Sequence, residues 1–434
     1  MKIIYLHQYF NTPKKAGGVR SYDVAKQLVD NNHQVEMVTS DNEDLLNSEK
    51  LRKLNKINGW RNTNEEGINV HWYSIFYSHK LSYYKRLMAF FSFAYHASKK
   101  GLTLEGDVVY ASSTPLTIAI PAIYISWRKS IPLVFEVRDL WPDVPIAIGV
   151  LKNPIIKYLA KRLESYAYKK SKAVVALSSG IRNGIIKAGC DKNKVIVIPN
   201  FSNRELFSMN NSGEKFRASR GWLEESPLVI YTGSFGVING VDYLVDIAEQ
   251  LALLKSDIKI LLIGGGGQYD NVILYAKKKN VLNNNLFIES GISKLELPQL
   301  LAAADLSSNI VINVPEVWNN SANKFFDSLA SGTPVLINGR GWQADLIDEE
   351  DVGITTFGLT FHQAALKINQ FLHDKEALSK SSKNAQIIAE KYFDKNELVK
   401  KIEQVLFCSI QMTCLLYTSP SPRDRTRSRM PSSA

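Results

Sequence analysis

Four stretches carry residue types and turns that could hold an anion or move a proton. The most organised runs from Trp318 to Asn338, WNNSANKFFDSLASGTPVLIN. Ser321 stands where a helix N-cap would accept from the first free backbone amides, and Asn323 to Ala330 gathers Phe325, Phe326 and Leu329 on one apolar face, turning Lys324 and Asp327 elsewhere. Gly332 can end that helix in a left-handed conformation, and Pro334 stops it resuming. An outward-facing helix N-terminus beside Lys324 is an anion site, because unpaired amides and aligned peptide dipoles favour negative charge there. The plain alternative is a capped helix that feeds a strand.

The other three stretches are loops. Gly17-Gly18 lets backbone amides come close to a phosphate, but the pair follows the first strand too late for the G-x-G-x-x-G fingerprint of a dinucleotide fold, which lowers the weight of nicotinamide chemistry. Thr232 to Gly236, TGSFG, repeats this loop chemistry in the second half, while Gly264 to Gly267 reads as a strand-to-helix turn. In Glu136-Val-Arg-Asp139-Leu-Trp-Pro142 charges emerge at the carboxyl end of an apolar strand, the position where open α/β sheets place their ligands. Asp139 could orient a hydroxyl or take its proton, and Arg138 could meet a phosphate; a buried Arg-Asp pair is the structural alternative.

These stretches need elements to position them. Lys2 to Leu6, a helix from about Ser21 to Asn31, and Val35 to Thr39 read as strand, helix, strand, the βαβ unit of a doubly wound sheet. Residues 41 to 67 read as a polar loop, and strands follow at Asn69 to Ile75, Asp107 to Ser112, Leu133 to Val137, Ala173 to Leu177 and Val195 to Ile198. After Pro199-Asn200 and an irregular stretch over 202 to 226, the alternation restarts at Leu228. The expectation is therefore an N-terminal Rossmann-like domain over 1–199, a C-terminal one over 200–392, and a cleft between them. A helix over 393–408 is expected to cross back to the first domain. Residues 409–434, rich in Ser, Pro and Arg, read as a non-native adaptor-derived tail.

Bulk composition narrows the function classes. With 45% hydrophobic and 22% charged residues the chain is a folded protein rather than a disordered one. Lys and Arg number 53 against 42 acidic residues, a balance that suits an anionic partner, yet no basic run is dense enough to single out nucleic acid. The three cysteines show neither metal spacing nor a disulfide framework, so a reducing, cytoplasmic setting is expected. His79 to Lys100 sets Leu81, Tyr84, Leu87, Met88, Phe91 and Tyr95 at helical spacing between lysines, which fits a helix packed on a sheet or one lying in a membrane interface.

Taken in order, Gly17-Gly18, the Asp139 motif, VIPN at 197–200, TGSFG, FIESGISKLELPQLLAAADL and SANKFFDSLASGTPVLI resemble the retaining glycosyltransferases of family 4, which have the GT-B fold. EVRDLWP is similar to the corresponding segment of bacterial transferases that build O-antigen and capsule repeat units, N-acetylfucosaminyl transferases among them. The resemblance covers roughly 1 to 407. It implies a donor diphosphate held by Gly17, Gly18, Ser234, Ser321, Ala322, Asn323 and Lys324. It implies ribose and base contacts at Asp327, Gly291 and Ile292, sugar contacts at Glu316, Asn319 and Asn320, and a catalytic set of Asp139, Arg138, Lys324 and Asn319. The sequence departs from the family pattern at three points: Asn319 replaces a glutamate, Ser234 and Asn239 stand where an Arg and a Lys are common, and Arg138 replaces a His.

The implied reaction moves a sugar from a nucleotide diphosphate, UDP-linked by expectation, with retention and with no metal or other cofactor. The implied acceptor is a polyprenyl-diphosphate-linked saccharide in surface polysaccharide synthesis, met by a peripheral protein on the inner face of the plasma membrane. No nucleic acid partner is expected. A nucleotide-sugar epimerase of similar shape and a catalytically silent nucleotide-sugar binding protein are the alternatives.

Overall fold

The computed structural model describes residues 1–41, 59–75, 83–208 and 212–411. Two parallel sheets organise it. The first contains β1 (Lys2–Leu6), β2 (Gln34–Asp41), β3 (Trp60–Glu65), β4 (Ile68–Ser74), β5 (Val108–Ser112), β6 (Leu133–Val137), β7 (Ala173–Ala176) and β8 (Val195–Val197), in the order β3-β4-β2-β1-β5-β6-β7-β8. The second contains β9 (Leu228–Ser234), β10 (Lys259–Gly265), β11 (Leu286–Glu289), β12 (Leu306–Asn309), β13 (Val335–Ile337) and β14 (Gly353–Thr355), in the order β11-β10-β9-β12-β13-β14. Among the described residues only β3 pairs antiparallel. Both sheets are doubly wound Rossmann-like sheets, with the strand order reversing beside β1 and β9.

Strands such as β1 and β7 are mostly apolar because helices cover both of their faces. In β1, Ile3 and Tyr5 point into one core while Ile4 and Leu6 point into the other, and all four are fully buried. Each such side chain contributes roughly 1.5–3 kcal/mol relative to exposure. The face of Ile3 is covered by α1 (Arg20–Asp30). The opposite face carries α2 (Tyr83–Thr103), α3 (Ala119–Lys129), α5 (Pro154–Lys170) and α6 (Ser179–Lys187), with the short α4 (Asp143–Ala147) ahead of α5.

The chain passes between the two sheets twice. Beyond β8 it enters the second half through Asn200, and at Asp394 it returns into α8 (Lys395–Ile410), which packs on α1, β5 and β6. Asp394 caps α8 by accepting from the Glu397 amide, and it forms a bridge with Ser202, so the two crossings lie side by side.

Some expectations need correction. The polar stretch 41 to 67 contains β3, an edge strand whose residues are little buried and therefore show no apolar alternation; residues 42–58 lie outside the described residues. The irregular stretch 202 to 226 contains short helices at Arg204–Ser208 and Glu214–Ala218. Helix α8 continues through Ser409 and Ile410, past the expected end at 408, because Ser409 is buried and donates to Val405 O at 2.7 Å. The remaining tail, 412–434, lies outside the described residues, as do residues 79–82 of the amphipathic stretch.

Candidate active site at the domain seam

Helix α7 (Asn323–Ser331) stands at the seam with its N-terminus toward the first domain. Phe325, Phe326 and Leu329 are fully buried, and Gly332 ends the helix at φ 73°. Its start differs from expectation. Ala322 is the N-cap and supplies no side-chain bond; Ser321 lies one residue too early, so its Oγ caps nothing and is buried without a partner.

Lys324 is the second departure, because its ammonium does not point outward. The Nζ atom is enclosed, has no hydrogen-bond partner and lies 3.7 Å from the centroid of the Tyr231 ring. A Cβ on Gly233, whose φ is 137°, would sit 3.1 Å from that Nζ, so the glycine at the end of β9 keeps the space open. Burial pushes the Lys324 pKa down from 10.5 to about 7, since the charged form has lost its water. An unpaired hydroxyl and an unpaired amine therefore flank the first turn of a helix. Buried polar groups are normally satisfied, and these two have donors to offer a ligand.

The opposite wall belongs to the first domain. A Cβ on Gly18 would collide with the Asn323 side-chain amide and would lie 3.9 Å from Arg138 Nη2, so Gly18 lets the loop touch α7. Arg138 Nη1 donates to His7 Nε2 at 3.2 Å, which leaves the proton of the neutral ring on Nδ1, 2.7 Å from Ser21 Oγ. Burial, with Arg138 beside it, holds the His7 pKa near 3, so the ring serves as an acceptor that aims the guanidinium. Asp139 accepts from Thr114 Oγ1 at 3.1 Å, and burial raises its pKa despite the neighbouring Arg138.

The other expected site residues divide into groups. Ser234 is exposed, and its carbonyl accepts from Tyr231 Oη and Asn239 Nδ2. Gly291 faces Ala16 across the seam, its Cβ position 3.5 Å from the Ala16 Cβ, and Ile292 is half-buried against the second core. Asp327 is already engaged: it pairs with Lys294 at 2.5 Å and accepts from Ser202 Oγ at 2.9 Å. The Lys294 amide in turn donates to Pro13 O of the first domain at 3.2 Å.

Asn319 O accepts from Ser178 Oγ at 2.8 Å, and its side chain occupies the space left by the missing Cβ of Gly180. Asn320 O accepts from Trp342 Nε1 at 3.0 Å, while Glu316 is exposed. Glu316 and Asn319 line one side of an interdomain cavity of about 640 Å³, whose other side is formed by Leu140, Lys161, Glu164 and Asn183. Among the described residues no group of three or more His, Cys, Asp or Glu is placed to hold a metal ion.

Arg20 was not singled out in the sequence, and Glu136 and Asn200 were named there without a role at the seam. Arg20 is fully buried and donates through Nε and Nη2 to Glu136 at 3.1 and 2.9 Å, and through Nη1 to Pro199 O at 3.0 Å. Burial alone would raise the Glu136 pKa, but Arg20, Arg138 and Tyr110 override it and bring it down to about 2. Asn200 donates to Ser321 O at 3.1 Å and to the Asn323 side chain. The signal for the pair was available: a glutamate inside the apolar strand LVFEV demands a buried partner. The Arg-Asp alternative thus gives way to an Arg20–Glu136 pair.

Comparison with known proteins bears on the fold and on the two domains. Residues 16–200 match the Glycosyl transferase 4-like domain, and residues 212–388 match Glycosyl transferases group 1. The probable glycosyltransferase WbjE of Pseudomonas aeruginosa is 23% identical over 57% of this chain and 62% of its own length. The alpha-galactosylglucosyldiacylglycerol synthase of Streptococcus pneumoniae is 28% identical over 36% of this chain and 43% of its own. The chain thus matches about half the length of these curated relatives. Among solved structures, Anabaena HepE in complex with UDP-glucose superposes with a TM-score of 0.69 at 19% identity, covering 94% of this chain and 100% of that one. WaaG, a glycosyltransferase involved in lipopolysaccharide biosynthesis, gives 0.66 at 17% identity over 93% and 99%. The fold is GT-B.

Proposed function

We propose that this chain, whose two halves belong to the Glycosyl transferase 4-like and Glycosyl transferases group 1 domain families, moves a sugar from a UDP-linked donor with retention at the anomeric carbon. One observation carries the reading: Lys324 Nζ and Ser321 Oγ are buried without partners at the N-terminus of α7, where Gly18 and Arg138 also converge. Departure of a nucleoside diphosphate leaves negative charge on the leaving oxygens, and fixed donors aimed there lower the barrier. Burial lowers the Lys324 pKa to about 7; an incoming diphosphate raises it and draws a proton onto the amine. Arg138, aimed by His7, adds the second cation from the opposite wall.

The acceptor hydroxyl is oriented by Asp139, whose raised pKa makes it a better proton acceptor than an exposed aspartate. Glu316, Asn319 and Asn320 meet the sugar, Gly291 and Ile292 flank the base, and Asp327 binds the ribose once Lys294 yields one carboxylate oxygen. Helix dipole and cationic side chains do the work of a divalent ion in this mechanism.

The UDP-glucose complex of HepE supports a UDP-linked donor, and the likeness to a galactosylglucosyldiacylglycerol synthase and to WaaG of lipopolysaccharide biosynthesis supports a lipid-linked saccharide acceptor in surface polysaccharide synthesis. Titration with UDP after EDTA treatment tests the donor site: micromolar binding is expected, and binding that needs added manganese or magnesium defeats the proposal. Asn319, Ser234 and Asn239 favour one other reading, a silent nucleotide-sugar binder, which would bind UDP yet release no UDP from UDP-sugars with any saccharide acceptor.

A further inference from the structure

Three helices on one face of the first domain turn large apolar side chains to water. Helices α2, α3 and α5 lie side by side over the same core, α3 contacting both of its neighbours. Helix α2 buries Phe93 and Ala97 beneath it, yet Met88 is 70% exposed and Tyr95 56%. Trp127 at the end of α3 is 70% exposed, and Ile155, Tyr158 and Leu159 on α5 are 68%, 63% and 58% exposed. A helix with an inner apolar stripe packed on the sheet needs no outer one.

The charge on these helices is one-sided. Together they carry eleven Lys and Arg and a single acid, Glu164, whose side chain is 1% exposed. Each helix also sets a cation over an aromatic ring at its surface: Lys99 over Tyr95 at 4.5 Å, Arg128 over Trp127 at 5.8 Å, and Lys170 over Tyr166 at 5.5 Å. Amphipathic rings ringed by lysine and arginine suit the boundary between headgroups and acyl chains. No helix among the described residues is long and apolar enough to cross a membrane. Helix α5 joins this surface to the seam, because its Lys161, Glu164 and Ser165 line the interdomain cavity that Glu316 and Asn319 close from the other side.

We infer that α2, α3 and α5 form a platform that docks the first domain on an anionic lipid bilayer, inserting Trp127, Met88, Tyr158 and Leu159 and bringing the mouth of the interdomain cavity to the headgroups. The inference takes its purpose from the lipid-linked acceptor just proposed, although its evidence is the surface itself. A protein or a second copy of this chain would have to supply a strongly acidic face, whereas anionic headgroups supply it everywhere.

Flotation of the full chain with phosphatidylglycerol-containing vesicles at low salt tests it, with pure phosphatidylcholine vesicles as the second arm. Binding to the anionic vesicles that falls as salt rises is expected. The triple variant Trp127→Ser, Tyr158→Ser, Leu159→Ser should bind roughly tenfold or more weakly, since each exchange removes apolar insertion. A second variant, Lys99→Glu, Arg128→Glu, Lys169→Glu, keeps those side chains and should lose binding at low salt. UDP affinity, measured on the same proteins, should stay unchanged, which shows the variants folded. Wild-type protein that ignores anionic vesicles, binds neutral ones equally, or binds undiminished in both variants overturns the platform. Loss of UDP binding in the wild type overturns the donor site and leaves the vesicle result standing.

Discussion

Two buried cations stand near the same seam and have opposite surroundings. Arg20 of the first domain spends its guanidinium on Glu136 and on the junction at Pro199 and Asn200. Lys324 of the second has no hydrogen-bond partner among the described residues and lies over the Tyr231 ring. A buried charge is costly, and a protein that tolerates one has either paired it internally or left it for something that arrives later. The saturated cation is structural. The unsaturated one is placed for a ligand, and the contrast separates fold from function more sharply than residue type or burial does.

Breaking the saturated side should have the largest effect. Arg20→Ala strands Glu136 in the core, and a loss of about 3–5 kcal/mol is expected in denaturant unfolding. An Arg20 variant as stable as the parent would mean that the pair does not hold the junction. On the unsaturated side, Lys324→Ala should lower sugar transfer by about 10²–10³, the usual cost of one charge-stabilising donor, with no loss of stability. Equal activity in that variant would remove Lys324 from the diphosphate site.

The same contrast predicts a pH effect of known sign. Lys324 holds its proton only below about pH 7 when folded but up to 10.5 when unfolded, so its burial costs most below pH 7 and the cost fades as pH rises through that window. Lys324→Met should therefore be more stable than the parent at acidic and neutral pH, with the two thermal midpoints converging toward pH 10. Parallel midpoints across the range would mean that the amine is not desolvated. The smallest effect belongs to Ser321→Ala, which deletes an idle hydroxyl: UDP affinity should fall about threefold to tenfold, the worth of one hydrogen bond, and an unchanged affinity would leave that hydroxyl without a ligand.

Much of the fold was legible because parallel strands covered on both faces read as short, mostly apolar runs, as KIIYL and AVVA do. The edge strand β3 and the two short helices before β9 were not, since little burial leaves little pattern. The site was legible in its stations and not in its contacts. Lys324 and Arg138 were found by type and position, but the sequence could not show that the first is enclosed or that His7 aims the second. Ser321 was misread as a cap because the spacing that suits a cap also suits a residue one step outside it. Asp327 was expected to meet a ribose, and nothing in the sequence indicated that Lys294, distant along the chain, pairs with it.

The two crossings between the domains, held together by the bridge of Ser202 with Asp394, have a mechanical consequence. One strand of chain between two bodies is a swivel that permits rotation about any axis. Two strands lying side by side are a strap, which bends easily across its width and resists twist. Bending across that strap is therefore the softest relative movement open to the two halves, and the contact of Gly18 with Asn323 lies across the direction of that bend.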